Sequence, residues 1–239
     1  MKFGAATRAV SRESRLSVRL FEIYRLVNLQ NERINYAENV AENNMTTDLE
    51  RILGYRDAID SSQSISRVAE EMYALSCWTP GFCSALIQAA ELTGTFEPDL
   101  NDPVPGREVS LAMISPKLFN AVEADFGARV WPQLQENWPL IDYHGLQDVF
   151  VIKYEVGQQE ELRMHHDVAQ VSASIKLNDD YEGAELEFPR QRFSNRDLKI
   201  GQMLAWPSLV THPHQSAKIT KGVKYSATVW FELPIVNQA

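Results

Sequence analysis

The sequence predicts an α+β fold in which N-terminal helices buttress an antiparallel double-sheet jelly roll, a double-stranded β-helix of the cupin-like barrel type. Helical patterns occupy the first part of the chain, whereas nearly every segment after Asp148 has the pattern of a strand or a turn. Helices followed by a long run of strands are typical of domains in which the helices lie against an antiparallel sheet. We therefore expect a helical N-terminal extension over residues 1–70 and the barrel over residues 71–239.

The first 33 residues are basic and amphipathic, with seven Lys or Arg against three Glu. Their apolar residues recur at helical spacing; they are Leu16, Leu20, Ile23, Tyr24 and Val27. The pattern favours a surface helix that packs on the barrel or on a second subunit of a homodimer. Two alternatives stay open: an organellar transit peptide, and a basic helix that lies on a membrane or a partner.

Three further helices are predicted from their start signals. Thr47 and Glu50 form a capping box that opens a helix to Tyr55, and the polar cluster at 60–64 is the expected linker to the barrel. A serine or threonine followed by proline begins each of the other two helices. These start at Thr79-Pro80, covering Phe82 to Leu92, and at Ser115-Pro116, covering Lys117 to about Gln133.

The intervening segments have other patterns. Met72 to Cys77 is predicted to be a short strand. Thr95 to Arg107 contains three prolines and one glycine without any periodicity, so we expect a loop, and we hypothesise that it forms a lid over a site in the barrel.

Composition excludes several classes of protein. The net charge is −9 and the pI is near 5.1, which argues against nucleic acid as a partner because phosphate contacts need clustered Lys and Arg. No apolar run approaches the roughly 20 residues of a membrane-spanning helix. The two cysteines give no disulfide framework, so we expect a reducing compartment and a cytoplasmic protein.

Four of the five histidines lie in two short clusters within strand-like sequence, His165-His166-Asp167 and His212-Pro213-His214. In a strand, residues two apart share a face, so His165 and Asp167 converge while His166 points away. A His-x-Asp pair with a distant histidine is the ligand set of a two-histidine, one-carboxylate iron site. His212 and His214 are also two apart, so spacing does not choose between them. A zinc site is the alternative, although structural zinc sites usually recruit four Cys and His ligands.

Lys224 is the next candidate, ten positions after His214 in an apolar, alternating strand. A lysine that faces the barrel interior is unfavourable unless it meets an anion. A ligand carboxylate would provide that anion, and Ser226 on the same face would add a hydrogen bond. We expect the interior orientation because Val223, Tyr225 and the following alternate residues can cover the opposite face.

With these residues in place, the chain resembles the iron(II)- and 2-oxoglutarate-dependent oxygenases of the prolyl and lysyl hydroxylase branch, and especially the catalytic domain of the procollagen lysyl hydroxylases. The resemblance is strong from Asp148 onward and weak between Met72 and that point. It rests on five stretches, which are residues 150–154, 162–167, 180–183, 211–214 and 220–225. The family's second glycine after Tyr-Glu-Gly is replaced here by Ala184.

The resemblance implies a role for each candidate residue. His165, Asp167 and His214 would hold Fe(II), and Lys224 would bind the distal carboxylate of 2-oxoglutarate, to which Tyr154 would supply a hydroxyl. Lysyl hydroxylases have arginine at the position of Lys224, whereas collagen prolyl hydroxylases have lysine there, which lacks the bidentate fork of arginine. The implied cofactors are Fe(II), 2-oxoglutarate and O2, with ascorbate as an accessory.

The implied activity is hydroxylation of an unactivated C–H, with release of succinate and CO2. The expected substrate is an amino-acid side chain, lysyl- or prolyl-like, in a peptide or a small molecule. Two alternatives remain: a metal-dependent cupin-type enzyme that does not use 2-oxoglutarate, and a catalytically silent barrel that acts as a binding module. Lys224 and Ser226 argue against the first, and the intact set of metal ligands argues against the second.

Overall fold

The structure is a computed structural model that describes residues 55–60, 65–93, 96–98 and 102–233. The chain divides into two units, residues 1–45 and 46–239, and all described residues belong to the second. The basic N-terminal stretch, the capping box at Thr47 and the linker at 61–64 lie outside the described residues. The division of the chain at residue 70 stays a prediction.

The helices precede most of the strands. A 3-10 helix spans Tyr55–Ala58. The other helices are α1 (Pro80–Thr93), α2 (Leu111–Ile114), α3 (Pro116–Asp125), a π-helical segment (Phe126–Val130) and α4 (Trp131–Gln135).

Thirteen strands occur in the described part of the chain. They are β1 (Ser66–Ala69), β2 (Met72–Ser76), β3 (Glu97–Pro98), β4 (Arg107–Ser110), β5 (Leu146–Glu155), β6 (Leu162–His165), β7 (Val171–Lys176), β8 (Tyr181–Gly183), β9 (Leu186–Phe188), β10 (Phe193–Ser194), β11 (Gln202–Pro207), β12 (His214–Ser216) and β13 (Ile219–Phe231).

The predicted strand and helix starts between residues 72 and 133 are confirmed, whereas the single helix expected from Lys117 to about Gln133 is divided into α3, the π-helical segment and α4. Strand β2 occupies the expected segment, and α1 begins where Thr79 Oγ1 accepts a hydrogen bond from the Phe82 amide at 3.4 Å. Ser115 caps α3 in the same way, with Oγ accepting from the Leu118 amide at 3.2 Å. The predicted loop after Thr95 differs in one detail, because it contains β3, a two-residue strand that is too short to show periodicity and pairs with β4.

The strands form two antiparallel sheets. The large sheet has the order β1-β2-β11-β7-β13-β5-β4-β3, with β8 paired to the far end of β13, and the small sheet has the order β10-β9-β12-β6. The prediction of an antiparallel, strand-rich fold with helices to one side is confirmed at this level.

Side-chain alternation in the central strands of the large sheet separates two environments. On β13, Ala227 and Val229 join the main core, which they share with helical residues such as Leu86 and Val122. Their neighbours in sequence point the other way because successive side chains of a strand alternate between faces. The helices therefore cover one face of the large sheet. On its other face, Trp206 of β11 packs with residues of β9 in the small sheet, including Phe188.

Among the described residues, no helix combines the length and apolar character that a membrane crossing requires.

Gly201 fixes the approach of two strands. Its φ is +82°, and its carbonyl accepts hydrogen bonds from the amides of Cys77 and Trp78 at 3.0 Å each. A Cβ at this position would lie 1.8 Å from the Trp78 carbonyl oxygen. The backbone of β2 can therefore approach this turn only when the residue is glycine.

We predict that Gly201→Ala lowers the free energy of unfolding by more than about 3 kcal/mol, because the left-handed φ costs about 1–2 kcal/mol and the backbone clash adds to it. Urea unfolding followed by circular dichroism measures this. Gly157→Ala is the matched control: Gly157 has φ +80° but no atom within 4 Å of the added Cβ, so only the conformational cost of about 1 kcal/mol is expected. Equal losses in the two variants would contradict the backbone clash.

Candidate active site

A cavity of about 450 Å³ lies between the two sheets. Its walls come from β4, β5, β7, β11 and β13 of the large sheet and from β6 and β12 of the small sheet. On β13 the side chains that face it are the alternate residues Lys224, Ser226, Thr228 and Trp230. The segment from Asp102 to Gly106, part of the expected lid loop, borders the same cavity.

The structure brings His165, Asp167 and His214 together in this cavity, with one ligand atom of each within 4.8 Å of the others. His214 of β12 stands opposite His165 of β6 in the antiparallel register. His165 Nε2 lies 3.5 Å from Asp167 Oδ1, and His214 Nε2 lies 3.8 Å from Asp167 Oδ2. Two strands that are distant in sequence thus present two imidazole nitrogens and one carboxylate to a common point.

Hydrogen bonds and packing hold both rings in this orientation. The Nδ1 of His165 lies 2.7 Å from the Arg163 carbonyl oxygen, and the Nδ1 of His214 lies 3.0 Å from the His212 carbonyl oxygen. A proton on each Nδ1 makes these bonds and leaves each Nε2 lone pair free for a metal. Phe188 and Trp206 pack against the His214 ring, with centroids 5.2 and 5.1 Å away.

The pKa values of Asp167, His165 and His214 are shifted by burial and by the proximity of these groups to one another. Burial acts to raise the pKa of Asp167, but the hydrogen bond from His165 and the proximity of His214 outweigh it, and the pKa falls below its ordinary value. Burial lowers the pKa of His214. Burial also acts to lower the pKa of His165, but the bond to Asp167 raises it overall. The lowered pKa favours the ionised carboxylate, which attracts positive charge to the point where the two imidazoles meet it.

These residues fit a divalent metal ion. Asp167 Oδ2 is buried and receives no hydrogen bond from the described residues, which is costly for a carboxylate oxygen unless a cation meets it. Two neutral imidazoles and a carboxylate on one side of the ion form the mixed N/O donor set of non-heme Fe(II) sites, with other positions open.

Lys224 lies in the same cavity with only 3% of its surface exposed. Its Nζ donates a hydrogen bond to the Ala184 carbonyl oxygen at 2.6 Å and lies 4.7 Å from the centroid of the Tyr154 ring. Burial lowers the pKa of its ammonium group to about 7. The structure has the expected interior orientation, and burial leaves the charge of the ammonium group poorly compensated in this cavity.

The other two predicted residues flank Lys224. Tyr154 of β5 is its register partner across the sheet, and Ser226 is its same-face neighbour on β13. Both are buried and line the cavity. Three candidate cosubstrate contacts therefore occupy one patch of the cavity wall.

The remaining histidines of the two clusters are placed elsewhere. His166 is exposed at the rim of the cavity. His212 is buried outside the metal-binding group, with Nδ1 2.8 Å from Thr211 Oγ1 and Nε2 3.0 Å from the Glu70 carbonyl oxygen. His212 therefore links its loop to the turn between β1 and β2.

Sequence reasoning missed Ser216, which is 4% exposed and lines the cavity. Its hydroxyl donates a hydrogen bond to the Tyr154 hydroxyl at 2.9 Å. The sequence spacing could have indicated it, because Ser216 follows His214 by two residues and therefore lies on the same face of the strand. Its partner on β5 is 62 residues away in sequence, so the contact itself has no local signature.

Comparison with known proteins agrees with this geometry. Residues 149–232 match the family model of the 2OG-Fe(II) oxygenase superfamily. The multifunctional procollagen lysine hydroxylase and glycosyltransferase of Caenorhabditis elegans is 25% identical over 187 residues, which cover 72% of this chain and 25% of the relative. Procollagen-lysine,2-oxoglutarate 5-dioxygenase 1 of Mus musculus is 37% identical over 81 residues, covering 33% of this chain and 11% of the relative.

The chain thus spans a quarter or less of the length of these two relatives. Among solved structures, the viral collagen prolyl hydroxylase of Paramecium Bursaria Chlorella virus-1, in its 2OG complex, matches with a TM-score of 0.53 and 18% identity, over 67% of this chain and 95% of that one. This likeness shows a shared fold. Together with the family match, it shows that residues 149–232 are similar to a 2OG-Fe(II) oxygenase domain.

Proposed function

We propose that this protein is an Fe(II)- and 2-oxoglutarate-dependent dioxygenase that hydroxylates an unactivated C–H of an amino-acid side chain and releases succinate and CO2. The observation that carries the proposal is one cavity that holds both a two-histidine, one-carboxylate cluster and a buried lysine. A metal-dependent enzyme that does not use 2-oxoglutarate has no need of the lysine.

The residues of the chain have distinct tasks in this proposal. His165, Asp167 and His214 hold the metal, which when bound supplies the activation of O2. Lys224 binds the distal carboxylate of 2-oxoglutarate, and Tyr154 and Ser226 donate hydrogen bonds to the same group. The apolar walls formed by Leu186, Trp206 and other residues exclude water, which strengthens the charge pairing and protects the site from side reactions.

The proposal extends to the closure of the fold and to the substrate. We infer that the two sheets form a double-stranded β-helix with the cavity at its centre. The target side chain is lysyl- or prolyl-like, as the names of the relatives suggest, and belongs to a peptide or a small molecule. Ascorbate as an accessory, a homodimer and a cytoplasmic location stay predictions.

We predict that His165→Ala and His214→Ala each abolish stoichiometric Fe(II) binding, because two donors cannot hold the ion against water at micromolar concentration. Anaerobic titration with Fe(II) measures binding, and succinate release measures turnover. His166→Ala is the control, since its exposed ring is adjacent in sequence but outside the cluster, and it should keep the iron. Undiminished iron binding in both ligand variants would refute the assigned metal site.

We predict that Lys224→Met weakens 2-oxoglutarate binding by roughly 30-fold or more while leaving Fe(II) affinity unchanged, because the distal carboxylate loses the buried cation that is proposed to pair with it. The intensity of the visible charge-transfer band under anaerobic conditions reports cosubstrate binding. Lys153→Met is the matched control, because Lys153 lies on the opposite face of neighbouring β5 and pairs with Glu91 at 2.9 Å. An unchanged cosubstrate requirement in Lys224→Met would favour an enzyme without 2-oxoglutarate.

The affinity for 2-oxoglutarate should also depend on pH. The Lys224 ammonium is the form that binds a carboxylate, and its pKa of about 7 in the ligand-free protein means that the charge is lost as pH rises above 7. We expect the Kd to be lowest near pH 6 and to increase up to tenfold per pH unit above 7. Glu185 and Lys176, the nearby charged groups, shift the pKa in opposite directions.

This pH dependence is measured by titration of the iron-loaded protein from pH 6 to pH 9. Both carboxylates of 2-oxoglutarate stay ionised over that range, so the cosubstrate itself contributes no slope. Lys224→Met should bind weakly with little change over the range. The same slope in that variant would assign the pH dependence to another group.

A further inference from the structure

The cavity contains one polar contact to which the proposed chemistry gives no task. Ser216 Oγ donates a hydrogen bond to the Tyr154 hydroxyl at 2.9 Å, and both side chains are buried. The surroundings of Tyr154 are apolar, including Ile152 and Ile219. In such surroundings an unpaired hydroxyl is costly, so the bond fixes the position of the phenol oxygen.

The direction of this bond determines what the tyrosine can do. A phenol hydroxyl has one proton to donate and can also accept. Because the oxygen of Tyr154 accepts from Ser216, its own proton is free to point elsewhere. Lys224 lies beside the Tyr154 ring, so an anion bound to the ammonium group has this proton donor next to it.

Burial also keeps the phenol protonated. It raises the pKa of Tyr154 well above its ordinary value, although the Ser216 bond acts in the opposite direction. Tyr154 is therefore a neutral donor over the whole working range of pH, and its usefulness to an anion depends on geometry rather than on ionisation.

We propose that Ser216 is a positioning residue of the cosubstrate site: it holds the Tyr154 hydroxyl so that the phenol proton is directed at the carboxylate that Lys224 binds. This inference rests on the proposed function. It also joins the two halves of the site, because Ser216 and His214 lie on the same strand of the small sheet, whereas Tyr154 and Lys224 belong to the large sheet. Strand β12 thus provides both a metal ligand, His214, and the residue that positions the Tyr154 hydroxyl as a hydrogen-bond donor to the carboxylate.

The test is Ser216→Ala in the iron-loaded protein. Loss of one neutral hydrogen bond corresponds to roughly a 2- to 10-fold increase in the Kd for 2-oxoglutarate. Iron affinity should not change, and kcat at saturating 2-oxoglutarate should stay within about twofold, since the phenol remains present and only its orientation is relaxed. Ser216→Thr keeps the hydroxyl and should restore the affinity.

A double-mutant cycle separates positioning from a general structural role. Tyr154→Phe removes the donor, so adding Ser216→Ala to it should not weaken 2-oxoglutarate binding further. Ser194→Ala, in the same small sheet but not among the residues that line the cavity, is the control for loss of a hydroxyl and should leave the Kd unchanged.

Two results would overturn the inference: an unchanged Kd in Ser216→Ala, or an equal effect of that substitution in the Tyr154→Phe background. Failure of the proposed function has a different signature, since the unsubstituted protein would then show no 2-oxoglutarate binding at all. Thermal unfolding of every variant shows whether a loss of affinity merely follows a loss of fold.

Discussion

The antiparallel register between β6 and β12 is the constraint on which the site depends. It sets His214 opposite His165, and the small sheet holds these strand ends side by side. A slip of one residue in either strand would turn the imidazole of that strand to the other face, because side chains alternate along a strand. Asp167 then follows His165 by two residues and completes the cluster from the same side.

The large sheet supports this arrangement through the alternation of its central strands. From Lys224 to Phe231, alternate residues of β13 such as Ala227 and Val229 enter the core beneath the helices, while the intervening residues face the cavity. The core-facing residues stabilise the sheet through apolar packing. Because of this stability, the cavity-facing side can include polar groups whose burial destabilises the ligand-free protein. Lys224 is the clearest of these, since within the described ranges its buried ammonium group contacts the Ala184 carbonyl oxygen and the Tyr154 ring but forms no ion pair with a carboxylate.

Much of this could be predicted from the sequence because the signals are local. The pair His165 and Asp167, the inward orientation of Lys224 and the caps at Thr79 and Ser115 all follow from spacing within a few residues. The choice of His214 over His212 did not follow from spacing, because both residues have the same parity. The fold decides it: His212 bonds to the Glu70 carbonyl oxygen, whereas His214 meets His165 across the small sheet.

The sequence by itself determined which chemical groups are present and which face of a strand each occupies, since periodicity is a property of the local backbone. Only the tertiary structure decided which of those faces meet. The bond from Ser216 to Tyr154 joins residues of different sheets, and Phe188 packs on His214 from a neighbouring strand. Such contacts depend on how two sheets stack, and the stacking is set by the packing of the whole core rather than by any short segment.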